Sequence, residues 1–160
     1  MKPLTITSRL EVYETIEEVP EAIQELMEKA AKVRDNAYAP YSNFKVGAAI
    51  LLANGEVVLG SNQENASYPS GLCAERTAIY AAGATHPDVD VLQIAITARS
   101  LKHQLLSPVP PCGACRQALV EYEVKQDKPI EIYFMGESGK VVKADSIGDL
   151  LPLVFDNSWL

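Results

Sequence analysis

The chain has 160 residues, of which 48% are hydrophobic and 22% charged, and its formal net charge is −7. A chain of this length forms about one domain and buries roughly 70% of its unfolded surface, so it needs no disulfide framework. Its 21 acidic and 14 basic residues argue against nucleic acid polymers and anionic membranes as partners, because clustered Lys and Arg carry binding to phosphates.

The N-terminal segment, residues 1–19, is polar and has no apolar region of the kind found in secretion signals. No other segment approaches the roughly 18 to 20 apolar residues of a membrane span. We therefore expect a cytoplasmic protein with an N-terminal extension over residues 1–19 and a single domain over residues 20–160. In a reducing compartment its three cysteines are more often metal ligands or catalytic groups than disulfides.

Apolar spacing predicts the first elements. A helix is expected after Pro20, where a period of 3.6 residues links Ile23, Leu26, Met27, Ala30 and Ala31. The dipeptide Asn54-Gly55 separates the runs FKVGAAILL and EVVLGSN. Because Asn-Gly between apolar runs is the strongest short-range hairpin signal, two antiparallel strands are expected there.

The second half of the chain alternates between helix and strand signals. An alanine-rich helix is predicted over residues 73–82 with Gly83 as its C-cap, and the apolar run over residues 89–98 indicates a central strand. A third helix over residues 112–124 precedes two strands, IEIYFM and KVVKA, and Ser146 is a candidate cap of a short last helix. The chain is thus expected to be an α/β protein, a three-layer α-β-α sandwich with a mixed sheet of about five strands.

All three cysteines lie at predicted helix starts, in Cys73-Ala-Glu-Arg and in Pro-Cys112-Gly-Ala-Cys115. A helix N-terminus carries about half a positive charge and favours thiolates. Cys112 and Cys115, at i and i+3, share a helical face, and Cys73 can lie beside them in a strand-helix-strand fold. Three thiolates leave one position open on a tetrahedral zinc, which is typical of a catalytic site.

Glu75 adds a candidate general base. In a regular helix positions 73 and 75 lie roughly 200° apart, so Cys73 and Glu75 share a cleft only if Cys73 occupies the half-helical first position. A carboxylate there can move a proton of a water activated by zinc, which makes a hydrolase. Arg76 can offset the negative charge of three thiolates by hydrogen bonding to sulfur.

Other classes of protein fit the cysteines alone. Cys112 and Cys115 can form a thiol redox pair, although such a pair has no use for Cys-Ala-Glu elsewhere. A structural Cys3His zinc module that binds a partner is also possible, with His86 or His103 as the fourth ligand. These alternatives differ from the enzyme in having no open coordination position.

Four segments, YAPYSNFKVGAAI, NQENASY, CAERTAI and PCGACRQ, occur in an order that resembles the zinc-dependent cytidine deaminases of the homotetrameric, free-nucleoside type. The resemblance spans about residues 20 to 155. It implies a cytidine deaminase-like fold, one zinc per chain and a homotetramer. It also implies hydrolysis of the exocyclic C–N bond of cytidine and 2′-deoxycytidine in pyrimidine salvage, with another cytosine-bearing nucleoside as an alternative substrate.

The same resemblance implies roles for individual residues. Cys73, Cys112 and Cys115 match the zinc ligands, and Glu75 matches the residue that carries protons from water to N3 and then to the leaving amine. The first ligand is Cys rather than His, which together with the acidic charge favours a free nucleoside over a polynucleotide.

Five further positions match substrate contacts of the family. Asn62 and Glu64 match a pair that holds ribose hydroxyls, and Phe44 matches a ring that packs on the pyrimidine. Ala66 matches a backbone contact to the base, and Phe155 matches an aromatic residue that closes a neighbouring subunit's site. The residue types alone also allow Asn62 to cap a strand end and both phenylalanines to be core residues.

Overall fold

A six-stranded mixed sheet forms the centre of the structure, a computed structural model that describes residues 1–160. The strands are β1 (Glu11–Tyr13), β2 (Phe44–Leu52), β3 (Val57–Ser61), β4 (Val91–Ser100), β5 (Glu131–Met135) and β6 (Val141–Ala144). Their order is β1-β6-β5-β4-β2-β3, and only β4 and β5 are parallel. The α/β class and the mixed sheet are confirmed, with six strands where about five were expected.

Three helices cover the two faces of the sheet: α1 (Glu21–Arg34), α2 (Ala74–Thr85) and α3 (Gly113–Gln126). The apolar side of α1 packs in one core cluster, whereas α2 and α3 share a second cluster. Each face of the sheet thus has its own core, and the predicted three-layer sandwich is confirmed. Short 3₁₀ helices lie at Ile16–Glu18, Tyr68–Ser70, Ile147–Leu150 and Asn157–Trp159. None of the helices has the length and apolar character needed to cross a lipid bilayer.

The strands follow their sequence patterns. The hairpin of β2 and β3 turns at Gly55, whose φ of +85° is the left-handed conformation that glycine adopts without strain. β4 lies between β5 and β2, and its apolar run contacts the cores on both faces, as the nearly continuous hydrophobic pattern predicts. Ser146 caps the 3₁₀ helix Ile147–Leu150 by accepting a hydrogen bond from the N–H of Gly148.

The second helix does not end at Gly83, and the predicted C-cap is wrong. α2 continues to Thr85 and has His86 as its C-cap. Gly83 lies inside the helix, and this position requires glycine because a Cβ would lie only 2.8 Å from Cε1 of the Tyr122 ring. The glycine is needed for close packing of α2 on α3 rather than for a left-handed turn.

Part of the N-terminal segment joins the sheet. β1 pairs antiparallel with β6, placing Glu11 opposite Lys143 and Tyr13 opposite Val141. Val19 is buried in the core cluster under α1, and Ile16 and Tyr13 pack against that cluster. Residues 11–19 therefore cover an edge of the sheet and part of its α1 face, whereas residues 1–10 are exposed.

Candidate active site

The N-termini of α2 and α3 bring the three cysteines together. Cys73 is the N-cap of α2 and Cys112 the N-cap of α3, both with extended backbone, and Cys115 lies in the first turn of α3. The three Sγ atoms lie within 4.8 Å of one another. Sγ of Cys112 lies 3.5 Å from Sγ of Cys115 and 3.9 Å from Sγ of Cys73. None of the three cysteines forms a disulfide.

Close packing places the start of α2 against the sheet. Gly60 in β3 lies under the first turn of this helix, and a Cβ there would be 2.6 Å from the backbone nitrogen of Ala78. The start of α3 follows Pro110 and Pro111, which supply no backbone N–H and favour an extended chain before the helix. The two helix starts thus meet on the same face of the sheet, as the sequence-based hypothesis requires.

The electrostatics of the cluster favour the thiolate form of Cys73. Hydrogen bonding with Cys115 and with Arg76 lowers the pKa of Cys73 to about 5, although burial opposes the shift. The pKa of Cys115, which is fully buried, is raised by hydrogen bonding with Cys73 and by burial. The N-termini of α2 and α3 also stabilise negative charge at Cys73.

The donor set fits a catalytic zinc ion. Three thiols from two rigid helices form the cluster, and no histidine belongs to it. Nε2 of His86 lies 3.1 Å from a carboxylate oxygen of Glu56, and Nδ1 of His103 lies 3.3 Å from Oγ of Ser100. Neither histidine is therefore the fourth ligand of a Cys3His structural site, and the cluster leaves a tetrahedral position open.

Glu75 lies beside the cluster in the first turn of α2 and is only 4% exposed. Cys73 occupies the extended N-cap position, so the geometric condition derived from the spacing of 73 and 75 is met. Burial and the nearby charge of Cys73 raise the pKa of Glu75. Its Oε2 is buried without a hydrogen-bond partner in the chain. A native structure seldom leaves such an atom unpaired, so this oxygen is suited to contact water or substrate.

A cavity of about 490 Å³ opens beside Cys73. Its walls contain four residues predicted to act at the site, which are Asn62, Glu64, Cys73 and Arg76. The remaining lining residues are Tyr41, Ser42, Gln63, Asn65, Tyr68, Gly71 and Leu72. The structure thus joins the cysteine cluster and the Asn62-x-Glu64 segment in one site.

Asn62 and Glu64 organise the walls of this cavity. The Asn62 amide accepts a hydrogen bond from the N–H of Val46 at 2.8 Å and donates one to the carbonyl of Phe44 at 2.9 Å, so it fixes the start of β2. Oε2 of Glu64 accepts hydrogen bonds from the N–H groups of Tyr41 and Ser42. Asn62 therefore makes the strand-end contacts that its residue type allows, and it also borders the cavity.

Two tyrosines of the cavity wall were not predicted as site residues. The rings of Tyr41 and Tyr68 meet edge to face with centroids 6.0 Å apart. Each adjoins a proline in the sequence, in Pro40-Tyr41 and in Tyr68-Pro69, and a tyrosine next to a proline in a loop is the signal that could have identified them. Their positions depend on two loops that are distant in sequence.

Three predicted substrate contacts lie outside the cavity lining. Phe44 begins β2 and is partly buried, and Ala66 is exposed in the loop before Tyr68. Phe155 lies in the C-terminal tail, where its side chain is 58% exposed and its carbonyl accepts a hydrogen bond from Gln117. Phe44 meets Asn62 through its backbone carbonyl, but within one chain none of the three residues lines the cavity with Asn62 and Glu64.

Comparisons with known proteins agree with this site. A family model described as the cytidine and deoxycytidylate deaminase zinc-binding region matches residues 20–127. A cytidine deaminase of Halalkalibacterium halodurans is 40% identical over 132 residues, which cover 82% of this chain and 92% of that protein. A cytidine deaminase of Sporosarcina psychrophila is 33% identical over 143 residues, which cover 86% of this chain and 94% of that protein.

A solved structure also shares the fold. The crystal structure of cytidine deaminase from Burkholderia pseudomallei superimposes with a TM-score of 0.70 at 42% identity, covering 82% of this chain and 97% of that chain. The matched region contains Cys73 and Cys112 with Cys115, which the structure places in one cluster. The chain therefore belongs to the family of zinc-binding cytidine and deoxycytidylate deaminases.

Proposed function

We propose that the protein catalyses the hydrolytic deamination of cytidine, in which cytidine and water give uridine and ammonia. The observation that carries this proposal is the buried, unpaired Oε2 of Glu75 beside a cluster of three thiols, one of which, Cys73, lines a cavity. The relatives described above are cytidine deaminases, which supports cytidine as the substrate of this chain.

Each residue of the cluster has a chemical role in this proposal. Cys73, Cys112 and Cys115 would hold one zinc ion, and a zinc ion bound there would lower the pKa of water toward 7 and so make it a better nucleophile for C4. Glu75 accepts the first proton of the attacking water and passes it to N3 of the base. It then takes the second proton from the hydroxyl added at C4 and gives it to the amino group, which leaves as ammonia. Burial favours this exchange because it raises the pKa of Glu75, and a carboxylate with a raised pKa is a stronger base toward water.

The charge of the cavity supports a nucleoside rather than a nucleotide substrate. Arg76 is the only basic residue among the lining residues, and its guanidinium is engaged with the sulfur of Cys73. Glu64 places a carboxylate in the same wall. A 5′-phosphate would therefore meet negative charge without a cationic partner, which disfavours deoxycytidylate as substrate.

The sugar contacts are part of the same proposal. Because Oε2 of Glu64 is occupied by two backbone N–H groups, its Oε1 is the oxygen that accepts hydrogen bonds from ribose hydroxyls. The Asn62 amide keeps one N–H for the sugar after its two contacts to β2. The Phe44 ring and the Ala66 backbone are assigned to the base, and deoxycytidine is accepted because the contacts do not all depend on the 2′-hydroxyl.

We also infer that the protein acts as a homotetramer. Support comes from apolar side chains that one chain leaves in solvent, including Tyr68 and Leu153, each 75% exposed, and Phe155. Burying such groups against a second copy is favourable, and Phe155 would then close a neighbouring site. Light scattering on the purified protein tests this mass directly.

The cellular setting is inferred from the chemistry of the site. Three free thiols poised to bind metal need a reducing compartment, which supports a cytoplasmic enzyme of pyrimidine salvage. Fractionation of cells that express the tagged full-length chain tests the compartment.

A substrate comparison tests the function. Zinc-loaded, reduced protein is mixed separately with cytidine, 2′-deoxycytidine and cytidine 5′-monophosphate, and both the loss of substrate absorbance and the release of ammonia are followed. We expect turnover of the two nucleosides and a kcat/KM at least about tenfold lower for the monophosphate, because of the uncompensated charge. A protein that binds one zinc per chain but deaminates no nucleoside would instead support the partner-binding zinc module.

A further inference from the structure

Two consecutive residues of α3, directly after Cys115, bind the two ends of the segment from Leu150 to Phe155. Arg116 donates through Nε to the carbonyl of Pro111 at 2.8 Å and through Nη1 to the carbonyl of Leu150 at 2.9 Å. Gln117 donates through Nε2 to the carbonyl of Phe155 at 2.8 Å. Neighbouring helical residues project about 100° apart, so the two side chains reach different points of the C-terminal segment.

The segment after Leu150 has few other attachments. Leu151 and Val154 pack against the core, whereas Leu153 and Phe155 are exposed. The hydrogen bonds formed beyond Phe155 stay within the segment itself, such as that from Ser158 to Asp156. The bond from Gln117 is thus the only hydrogen bond that joins residues 152–160 to the body of the protein.

We propose that Gln117 is a positioning residue that fixes Phe155 at a defined distance from the metal-binding start of α3. This inference rests on the proposed function, in which the Phe155 ring closes the substrate site of a neighbouring subunit. Arg116 sets the beginning of the same segment relative to Pro111, the residue before Cys112. One turn of α3 therefore carries both a cysteine of the cluster and the side chains that bind the C-terminal tail. A change at Gln117 should alter substrate binding and leave the zinc content unchanged.

The single tryptophan of the chain, Trp159, provides a readout that does not depend on activity. In Gln117→Ala we expect lower fluorescence anisotropy of Trp159, because the tail loses its hydrogen bond to α3. The KM for cytidine should rise about 2- to 10-fold, the range that corresponds to one hydrogen bond. The kcat and the zinc content should stay near those of the unchanged protein.

A matched control and a double variant make the test specific. Lys125 lies on the same helix and also donates to a backbone carbonyl, that of Pro87 at 2.7 Å, so Lys125→Ala should change neither Trp159 anisotropy nor KM. In a Phe155→Ala background, Gln117→Ala should have no further effect on KM. Gln117→Arg, which keeps an N–H donor, should restore part of the loss.

Two results would overturn the inference. One is unchanged Trp159 anisotropy in Gln117→Ala, which would show that the hydrogen bond does not hold the tail. The other is a KM increase of full size in the Phe155→Ala background, which would show that Gln117 acts independently of Phe155. If the unchanged protein deaminates no nucleoside, the proposed function fails, and the anisotropy measurement still decides whether Gln117 holds the tail.

Discussion

Nη2 of Arg76 lies 3.7 Å from Sγ of Cys73, one helical turn along α2 from the N-cap. The contact places a guanidinium next to the thiolate that borders the cavity, and the Nε of the same side chain is buried without a partner. Zinc with three thiolates has a net charge of −1, so a neighbouring cation stabilises the loaded site. We therefore propose that Arg76 supports the metal site without being one of its ligands.

Replacing Arg76 should weaken metal binding. We expect Arg76→Gln to lower zinc affinity about 10- to 100-fold, the usual effect of removing a group that supports a metal ligand. Competition with a chromophoric chelator measures the change. Arg99→Gln, at a residue that pairs with Asp35 away from the site, is the control. Equal affinity of Arg76→Gln and the unchanged protein would remove Arg76 from this role.

Adding one methyl group under α2 should disturb both stability and the site. A Cβ on Gly60 would approach the backbone nitrogen of Ala78 to 2.6 Å and its Cβ to 2.9 Å. Gly60→Ala should therefore lower the free energy of unfolding by about 1–3 kcal/mol, as measured by urea denaturation. Gly113→Ala is the matched control, since a Cβ there meets no atom within 4 Å. Equal destabilisation by both substitutions would contradict the packing argument.

The stabilising effect of Glu64 should depend on pH. Desolvation raises the pKa of this carboxyl group, but hydrogen bonds from the side chain of Ser42 and from the N–H groups of Tyr41 and Ser42 outweigh it and lower the pKa below the ordinary 4.5. A lowered folded-state pKa stabilises the protein above the unfolded value, and that contribution is lost as the pH falls through the folded pKa.

The difference in unfolding free energy between the unchanged protein and Glu64→Gln should thus be constant well above pH 4.5 and vanish below the folded pKa. Urea denaturation across this range measures it. Glu121→Gln, on the exposed side of α3, controls for loss of charge alone. A difference that grows with acidification would have the wrong sign for this account.

Local patterns were sufficient to predict most of the fold. The period of apolar residues in α1 and the Asn54-Gly55 turn are local signals, and the structure confirms both elements. β1 could not be recognised in the same way, because its three residues form a strand only through pairing with β6 near the other end of the chain. A glycine after an alanine-rich run predicts a helix end at Gly83, and its actual role, close contact with Tyr122 of α3, depends on tertiary packing that this local pattern does not contain.

The candidate site was predictable to a similar extent. The cysteines and Glu75 lie in short motifs whose spacing already limits the chemistry, and the structure brings the three sulfurs together. The cavity wall was less accessible to such reasoning, since Tyr41 and Tyr68 meet only when two loops fold against each other. The position of Phe155 depends on a tertiary contact, its hydrogen bond with Gln117 of α3, that no local pattern specifies.

The two parts of the N-terminal segment should differ in their effect on stability. Deleting residues 2–10, which are exposed, should leave the free energy of unfolding nearly unchanged. Deleting residues 2–19 also removes β1 and Val19, which is 2% exposed, and should cost at least about 2 kcal/mol, since burying one valine contributes about 1.5–3 kcal/mol. Urea denaturation of both variants tests this, and equal stability would show that residues 11–19 are a separate appendage.

The central claim is that Glu75 makes a zinc-binding cluster into a deaminase. Its most direct test compares the unchanged protein with Glu75→Gln, which keeps the size of the side chain, by measuring cytidine turnover and zinc content on the same samples. We expect both proteins to hold one zinc per chain and the variant to lose at least about 10²-fold in kcat, the lower end of general acid–base contributions. Cytidine turnover by zinc-loaded Glu75→Gln at the rate of the unchanged protein would contradict the claim.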